Sequence, residues 1–340
     1  MKRFWTLVMV TVIGLFAFGG CTPNETVEEE KEEPVMLEPS DAIMNLLISN
    51  ARDPYVLHHD GKYYIYTTGW NCYVSQGDEL SVMGWKVQRD IVQLPEDFAG
   101  DNWAPEVHYY DGAFYMFTTY RSTKNNHRGC AIFRSESPTG PFVLHTDGHN
   151  TPSDWDAIDG TLYVDEEGQP WMVFVHEWTS TDDGIGRMDC VKLSKDLKTT
   201  ISEPVELFRA DDPSWGIGNP VTDGCFLYKT EGGQLLMLWS TWDAQGYCVG
   251  IVRSESGSIL GPWIHDEERL FSKSILGDFD GGHGMIFSDS NEKLWLSIHS
   301  PNNADGMRPT IPVLIPIKEE NNTLVWDLES RPENTEMKPA

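Results

Sequence analysis

The stretch from Arg52 to Gly69 reads R-D-P-Y-V-L-H-H-D-G-K-Y-Y-I-Y-T-T-G, and it decides the fold. Tyr55, Val56 and Leu57 predict a short strand, His58 to Lys62 a turn centred on Asp60-Gly61, and Tyr63 to Thr67 a second strand of aromatic and β-branched residues. Just ahead of this hairpin stands an acid, Asp53, followed by Pro54, whose ring fixes its own φ and restricts the residue before it.

Four later segments share the outline: a polar residue, an apolar run, a Gly or acidic turn, and a second apolar run. Glu106 leads E-V-H-Y-Y-D-G-A-F-Y-M-F, Asp159 leads D-G-T-L-Y-V-D-E-E-G-Q-P-W-M-V-F, and Asp223 leads D-G-C-F-L-Y-K-T-E-G-G-Q-L-L-M-L-W. His283 leads the last, H-G-M-I-F-S-D-S-N-E-K-L-W-L-S-I. The leading residues are spaced by 53, 53, 64 and 60 positions, each close to the length of one four-stranded blade. Gly140-Pro141-Phe142 and Gly261-Pro262-Trp263 follow Glu106 and Asp223 by 34 and 38 residues and mark similar outer turns in the second and fourth units. Apolar runs bounded by Gly, Asp, Asn and Pro dominate and helical patterning is scarce. The expectation is an all-β, five-bladed β-propeller.

In a propeller the first strand of each blade lines the central channel. Asp53, Glu106, Asp159, Asp223 and His283 are therefore expected to meet at one end of it. One Asp before a strand is ordinarily a turn residue. Five ionisable residues at matching places in five repeats point instead to a site.

Residues 1–20 combine a basic start with an apolar run ending in small residues, the pattern of an export signal too short to be a spanning helix. Gly19-Gly20-Cys21 resembles a bacterial lipoprotein box, which implies cleavage before Cys21 and lipidation of its sulfur. Residues 21–40 are rich in Glu, Pro and Thr and read as a disordered acidic tether. A single domain over residues 41–335 is the simplest division of the rest, and a monomer is expected. Such a chain would be an exported lipoprotein, periplasmic or anchored at the outer membrane or cell surface.

A formal net charge of −28 disfavours nucleic acid and anionic membrane surfaces as partners. Cys72, Cys130, Cys190, Cys225 and Cys248 contain no C-x-x-C pair, so neither a zinc site nor a disulfide framework is indicated. Gly-rich phosphate loops, H-E-x-x-H and G-x-S-x-G do not occur.

Several carboxylates in one pocket cannot all ionise at their ordinary pKa values, because neighbouring like charges raise one another's affinity for protons. Glycoside hydrolysis uses that separation, with one carboxylic acid protonating the departing oxygen and a carboxylate across the ring activating water. Aromatic rings supply flat faces on which sugars stack. Trp70, Trp103, Trp178, Trp215 and Trp242 lie close in sequence to the convergent residues, and one or two of them are expected to touch substrate while the others pack in the core.

From about residue 45 to 330 these features resemble glycoside hydrolase family 43, whose fold is a five-bladed propeller. The resemblance implies that Asp53 in R-D-P-Y-V is the general base and that Asp159 in A-I-D-G-T-L-Y tunes and orients the acid. Trp103-Ala104-Pro105-Glu106 is similar to the family's second-blade motif, implying substrate contacts from Trp103 and Glu106, with Trp242 assigned alongside them. His283 in G-G-H-G-M is similar to the channel histidine, a substrate-side group associated with a central water or structural Ca²⁺ held through waters; no cofactor is required. The family's acid is Glu in E-G-P, whereas this chain has Thr222-Asp223-Gly224-Cys225. Asp223 is the candidate by position, and Glu106 or Glu177 in H-E-W are alternatives.

The implied activity is inverting removal of α-L-arabinofuranose, or secondarily β-D-xylose, from plant polysaccharides. Exo-galactosidase and endo-arabinanase specificities stay open. A retaining fructan-type hydrolase shares R-D-P, but its N-D-P-N-G and E-C motifs are absent. A catalytically inactive carbohydrate-binding propeller is the other alternative, raised by the altered acid.

Overall fold

Asp60 (φ 48°) and Gly61 (φ 68°) both sit in the left-handed region, as a two-residue turn requires if it is to follow the right-handed twist of its strands. The hairpin they close is longer than the sequence pattern suggests, with Tyr55–His59 paired to Lys62–Thr67. The computed structural model describes residues 42–273, 279–302 and 309–329. The expected signal peptide, the lipidation at Cys21 and the acidic tether lie outside the described residues.

Nearly all the described secondary structure is strand, in five antiparallel sheets arranged as the blades of a ring. Blade one adds Asn71–Val74 and Lys86–Gln88 to the hairpin; blade two is Trp103–Tyr110, Ala113–Arg121, Arg128–Ser135 and Val143–Leu144. Blade three is Ala157–Val164, Pro170–His176, Arg187–Lys192 and Val205–Arg209; blade four is Asp223–Lys229, Leu235–Asp243, Gly246–Ser254 and Trp263–His265. Blade five runs Gly282–Ser288, Leu294–Ser300, Ile311–Glu320. Its outer edge is completed by both ends of the domain, since Met44–Asn45 and Thr323–Trp326 pair with the two halves of Ile311–Glu320. That pairing closes the ring. The fold is the expected five-bladed β-propeller.

The second strand of each blade is the most deeply buried, because blades on either side cover both its faces. Ala113–Tyr120 and Pro170–His176 are buried at every position, and each fully buried large apolar side chain contributes about 1.5–3 kcal/mol. All five described cysteines are free and buried, four of them on third strands and Cys225 on the first strand of blade four. Gly140 and Gly261, at φ 78° and 73°, turn the chain toward the outermost strands of blades two and four. A Cβ on Gly140 would lie 2.3 Å from the Ile91 carbonyl oxygen, so this turn tolerates only glycine.

Each innermost strand begins at a distortion that positions the site. In blades two to five the ladder shifts between Trp103 and Glu106, Ile158 and Thr161, Asp223 and Phe226, and Gly282 and Met285. Within each shift one residue is left-handed: Ala104 (φ 42°), Asp159 (57°), Gly224 (41°) and His283 (56°), while Asp53 (54°) occupies the same place in blade one. Such a conformation costs an ordinary residue about 1–2 kcal/mol, and here it is held from the preceding blade. The backbone N–H of Asp53 donates to His299 Nδ1 (3.2 Å), that of Ala104 to Thr68 Oγ1 (2.9 Å), that of Asp159 to Thr119 Oγ1 (3.0 Å) and that of His283 to Ser240 Oγ (2.8 Å). Gly224 N–H donates to the Asp159 carboxylate itself (2.9 Å).

This register corrects the sequence alignment of the repeats. The equivalent residues are Asp53, Ala104, Asp159, Gly224 and His283, so Glu106 stands two residues deeper than expected and Asp223 one residue earlier.

Candidate active site

The five left-handed turns surround a cavity of about 400 Å³ at one end of the channel. Asp53, Asp159, Asp223, His283 and Trp103 line it, as the sequence predicts. Arg52, Thr68, Glu177, Trp178 and Tyr247 line it as well.

Glu106 does not. It is 6 % exposed, and its carboxylate accepts hydrogen bonds from Thr161 Oγ1 (2.5 Å) and His108 Nε2 (3.3 Å). Beyond the shift at Ala104 the regular ladder resumes at Glu106, which lies beside His108 and Tyr55. The expectation that Glu106 contacts substrate is replaced by a place in the channel under the pocket floor. Trp242 is also absent from the lining; its ring packs 4.5 Å from that of Tyr247. Trp70 is a core residue donating to Thr118, and Trp215 packs on Trp239 and Arg269. Trp103 and Trp178 are the two indoles left to meet a sugar.

Asp53 is surrounded by donors. Thr68 Oγ1 receives the Ala104 N–H, which aims its own hydroxyl proton at Asp53 Oδ2, 2.5 Å away. On the other side, Asp53 Oδ1 lies 3.3 Å from His283 Nδ1 and 3.2 Å from His299 Nδ1. Burial alone would raise the carboxyl's pKa; the neighbouring His283 first, then His299 and Arg52, outweigh it and hold Asp53 well below the usual carboxylate range. Burial would likewise lower His283, but Asp53, Asp159 and Glu106 raise it above its ordinary value.

Asp159 and Asp223 have the opposite surroundings. Burial pushes both upward; the Asp53 and Glu106 charges add to it at Asp159 against His283, and the Asp159, Asp53 and Glu177 charges add to it at Asp223. Asp159 receives the Gly224 amide and lies 3.8 Å from His283 Nδ1, whereas among the described residues Asp223 receives the Tyr247 hydroxyl alone, at 3.0 Å on Oδ2. With fewer donors to offset its burial and the Asp159 charge, Asp223 is held well above the usual carboxylate range.

Glu177 ends the second strand of blade three and is 5 % exposed. Arg128 grips it in a fork, Nε to Oε2 and Nη2 to Oε1 at 2.8 Å each, while its guanidinium covers the Trp103 ring at 5.2 Å. Burial pushes Glu177 upward against this cation. With both oxygens bridged to a guanidinium, Glu177 is held as a wall of the pocket.

Calcium takes six to eight oxygen ligands. His283 Nδ1 faces two carboxylates instead, and among the described residues no group of three or more His, Cys, Asp or Glu side chains is arranged to hold a metal. These side chains do not by themselves form a calcium cage, and the His283 imidazole stands between Asp53 and Asp159, at 3.3 and 3.8 Å from their oxygens.

Tyr247, Thr68, His299 and Arg128 escape the sequence reading because they sit on second and third strands or, for Thr68, in the turn between them. Those strands reach the same rim through the far hairpin of each blade, where no repeat motif marks them.

The fold and its carboxylate-lined axial pocket define a five-bladed propeller of glycosidase type. The family model for glycosyl hydrolases family 43 matches residues 45–315, and the chain belongs to that family of glycoside hydrolases. An endo-arabinase structure from Bacteroides thetaiotaomicron VPI-5482 superposes with a TM-score of 0.71 at 35 % identity, covering 86 % of this chain and 99 % of that one. Alpha-L-arabinofuranosidase 43 of Humicola insolens is 22 % identical over 73 % of this chain, which spans 54 % of that protein's length. Extracellular endo-alpha-(1->5)-L-arabinanase 1 of Bacillus subtilis strain 168 is 23 % identical over 71 % of this chain and 73 % of its own.

Proposed function

We propose that this chain hydrolyses α-L-arabinofuranosyl linkages of plant polysaccharides or oligosaccharides with inversion, Asp53 acting as general base, Asp223 as general acid and Asp159 as the carboxylate that keeps the acid protonated. One observation carries the reading: a single pocket holds one aspartate set between two imidazoles, Arg52 and the Thr68 hydroxyl, surroundings that favour its ionised form, and another buried beside Asp159, surroundings that favour its protonated form. An inverting glycosidase needs this division of labour. Asp53 takes a proton from the attacking water, and Asp223 gives one to the departing oxygen. Trp103 and Trp178 offer apolar faces to the sugar, and the Arg128–Glu177 pair holds Trp103 in place.

Terminal arabinofuranosidase action is the first reading. Endo-acting arabinanase is the second, favoured by the 35 % identical structure named endo-arabinase. Linear 1,5-α-arabinan separates the two, since exo action releases only the monosaccharide while endo action gives oligomers from the start. The proposal includes export as a lipoprotein anchored through Cys21, working as a monomer in the periplasm or at the cell surface without a catalytic cofactor; the Bacillus subtilis relative is itself named extracellular.

The test uses two substrates and two variants. Asp223→Ala is expected to slow arabino-oligosaccharides, whose alkoxide leaves poorly, by about a hundredfold or more, and to slow aryl arabinofuranosides with acidic phenols far less. Asp53→Ala disables both. Equal losses on both substrates for Asp223→Ala, or the leaving-group pattern in Glu177→Ala alone, would overturn the assignment. Sugar binding without hydrolysis by the unaltered protein would point to an inactive binding propeller.

A further inference from the structure

Tyr247 lines the pocket on the third strand of blade four, and the reaction as written leaves it without a task. It is 2 % exposed. Its ring lies 4.5 Å from Trp242 and 5.6 Å from His299, nearly parallel to the latter at 20°. The slot exists because residue 282 is glycine, for a Cβ there would fall 2.5 Å from Cε1 of the ring. The backbone is pinned as well: Tyr247 N–H donates to Asp280 Oδ2 at 3.2 Å, and its carbonyl accepts the Gly281 N–H at 3.2 Å. So held, the phenol donates to Asp223 Oδ2 at 3.0 Å.

We propose that Tyr247 is the positioning residue of the general acid, fixing the Asp223 carboxyl in one orientation and supplying the hydrogen bond that lets it release its proton. The proposal rests on Asp223 being the acid. The other charged groups that act on Asp223 are Asp159, Asp53 and Glu177, all carboxylates, and all of them, like burial, favour the protonated form. The groups around Tyr247 itself, Asp280 and His299, contact its backbone and ring rather than Asp223. A general acid works best with a pKa near the working pH, and in this pocket the phenol is the hydrogen-bond donor that pulls Asp223 back toward that range.

The sign follows from the bond. A hydroxyl donating to a carboxylate stabilises the ionised form, so its removal raises the pKa of Asp223 and moves the alkaline limb of the kcat/KM profile to higher pH. A hydrogen bond to a charged group is of the size that shifts a pKa by about one to two units. The experiment measures kcat/KM against pH on an arabino-oligosaccharide for the full chain and Tyr247→Phe, with thermal midpoints for both. The expected result is an alkaline limb raised by about one to two pH units, an acid limb unmoved, and a retained fold. Gly282→Ala, which displaces the ring but keeps the hydroxyl, should move the same limb the same way and serves if Tyr247→Phe is unstable. Unmoved limbs with lower activity, or both limbs moving together, overturn the proposal. If they do so while Asp223→Ala keeps its leaving-group pattern, only the role of Tyr247 falls; if that pattern is absent, the acid assignment falls and the role of Tyr247 with it.

Discussion

Asp189, on the third strand of blade three, offers a stability test that leaves the pocket untouched. It is 3 % exposed, faces Glu206 across the ladder, and its Oδ2 has no hydrogen-bond partner among the described residues. Burial, then Glu206, push its carboxyl from an ordinary 3.8 up to about 7, with Arg187 opposing. The folded state therefore binds this proton more tightly than the unfolded chain. Between pH 4 and 7 the unfolded state releases the proton while the folded state keeps it, so stability falls as pH rises through that window and levels off above pH 7. A gap from 3.8 to about 7, at 1.36 kcal/mol per pH unit, amounts to about 4 kcal/mol in all, of which roughly 3 kcal/mol is lost between pH 5 and pH 8. Asp189→Asn carries no titrating group. Whatever constant offset the amide introduces, the difference in unfolding free energy between variant and parent should move in the variant's favour by roughly 3 kcal/mol from pH 5 to pH 8. Urea unfolding of both proteins at several pH values within that range measures it. Parallel stability profiles would refute the reasoning and mean that Asp189 is solvated or partnered in solution.

Arg128→Ala should destabilise the fold by about 3–5 kcal/mol because it leaves Glu177 buried and unpaired, and adding Glu177→Gln should restore part of the loss; additive losses in denaturation midpoints would argue against the pair. Cys21→Ala should release the protein from the membrane fraction, and unchanged fractionation would count against lipidation.

The aspartates of the pocket sit where the chain bends sharply, and this explains how far the sequence could be read. Strand alternation, Asp-Gly turns and the returning hairpin outline are local properties, written in neighbouring residues. They suffice to count five blades, because each blade must bury both faces of its middle strands and so repeats the same apolar runs. Asp53, Asp159 and His283 are legible for a related reason: Asp and His tolerate the left-handed backbone at which each innermost strand begins. Glu106 is misread for the converse one. Ala104 occupies the left-handed position in blade two and carries no functional group to advertise it, so the nearest acid is taken in its place, one layer too deep.

By itself, then, the sequence determined the all-β class, the number of blades, the acidic net charge and four of the ionisable groups that line the pocket. The tertiary structure alone decided which oxygen of Asp53 meets which imidazole, that Glu177 is locked to Arg128 from the neighbouring blade, and that Tyr247 reaches Asp223 across a slot opened by Gly282. The reason is physical. A hairpin depends on residues a few positions apart, whereas the protonation of a buried carboxyl depends on its burial and on charges from four other strands, whose distances are set only when the ring closes.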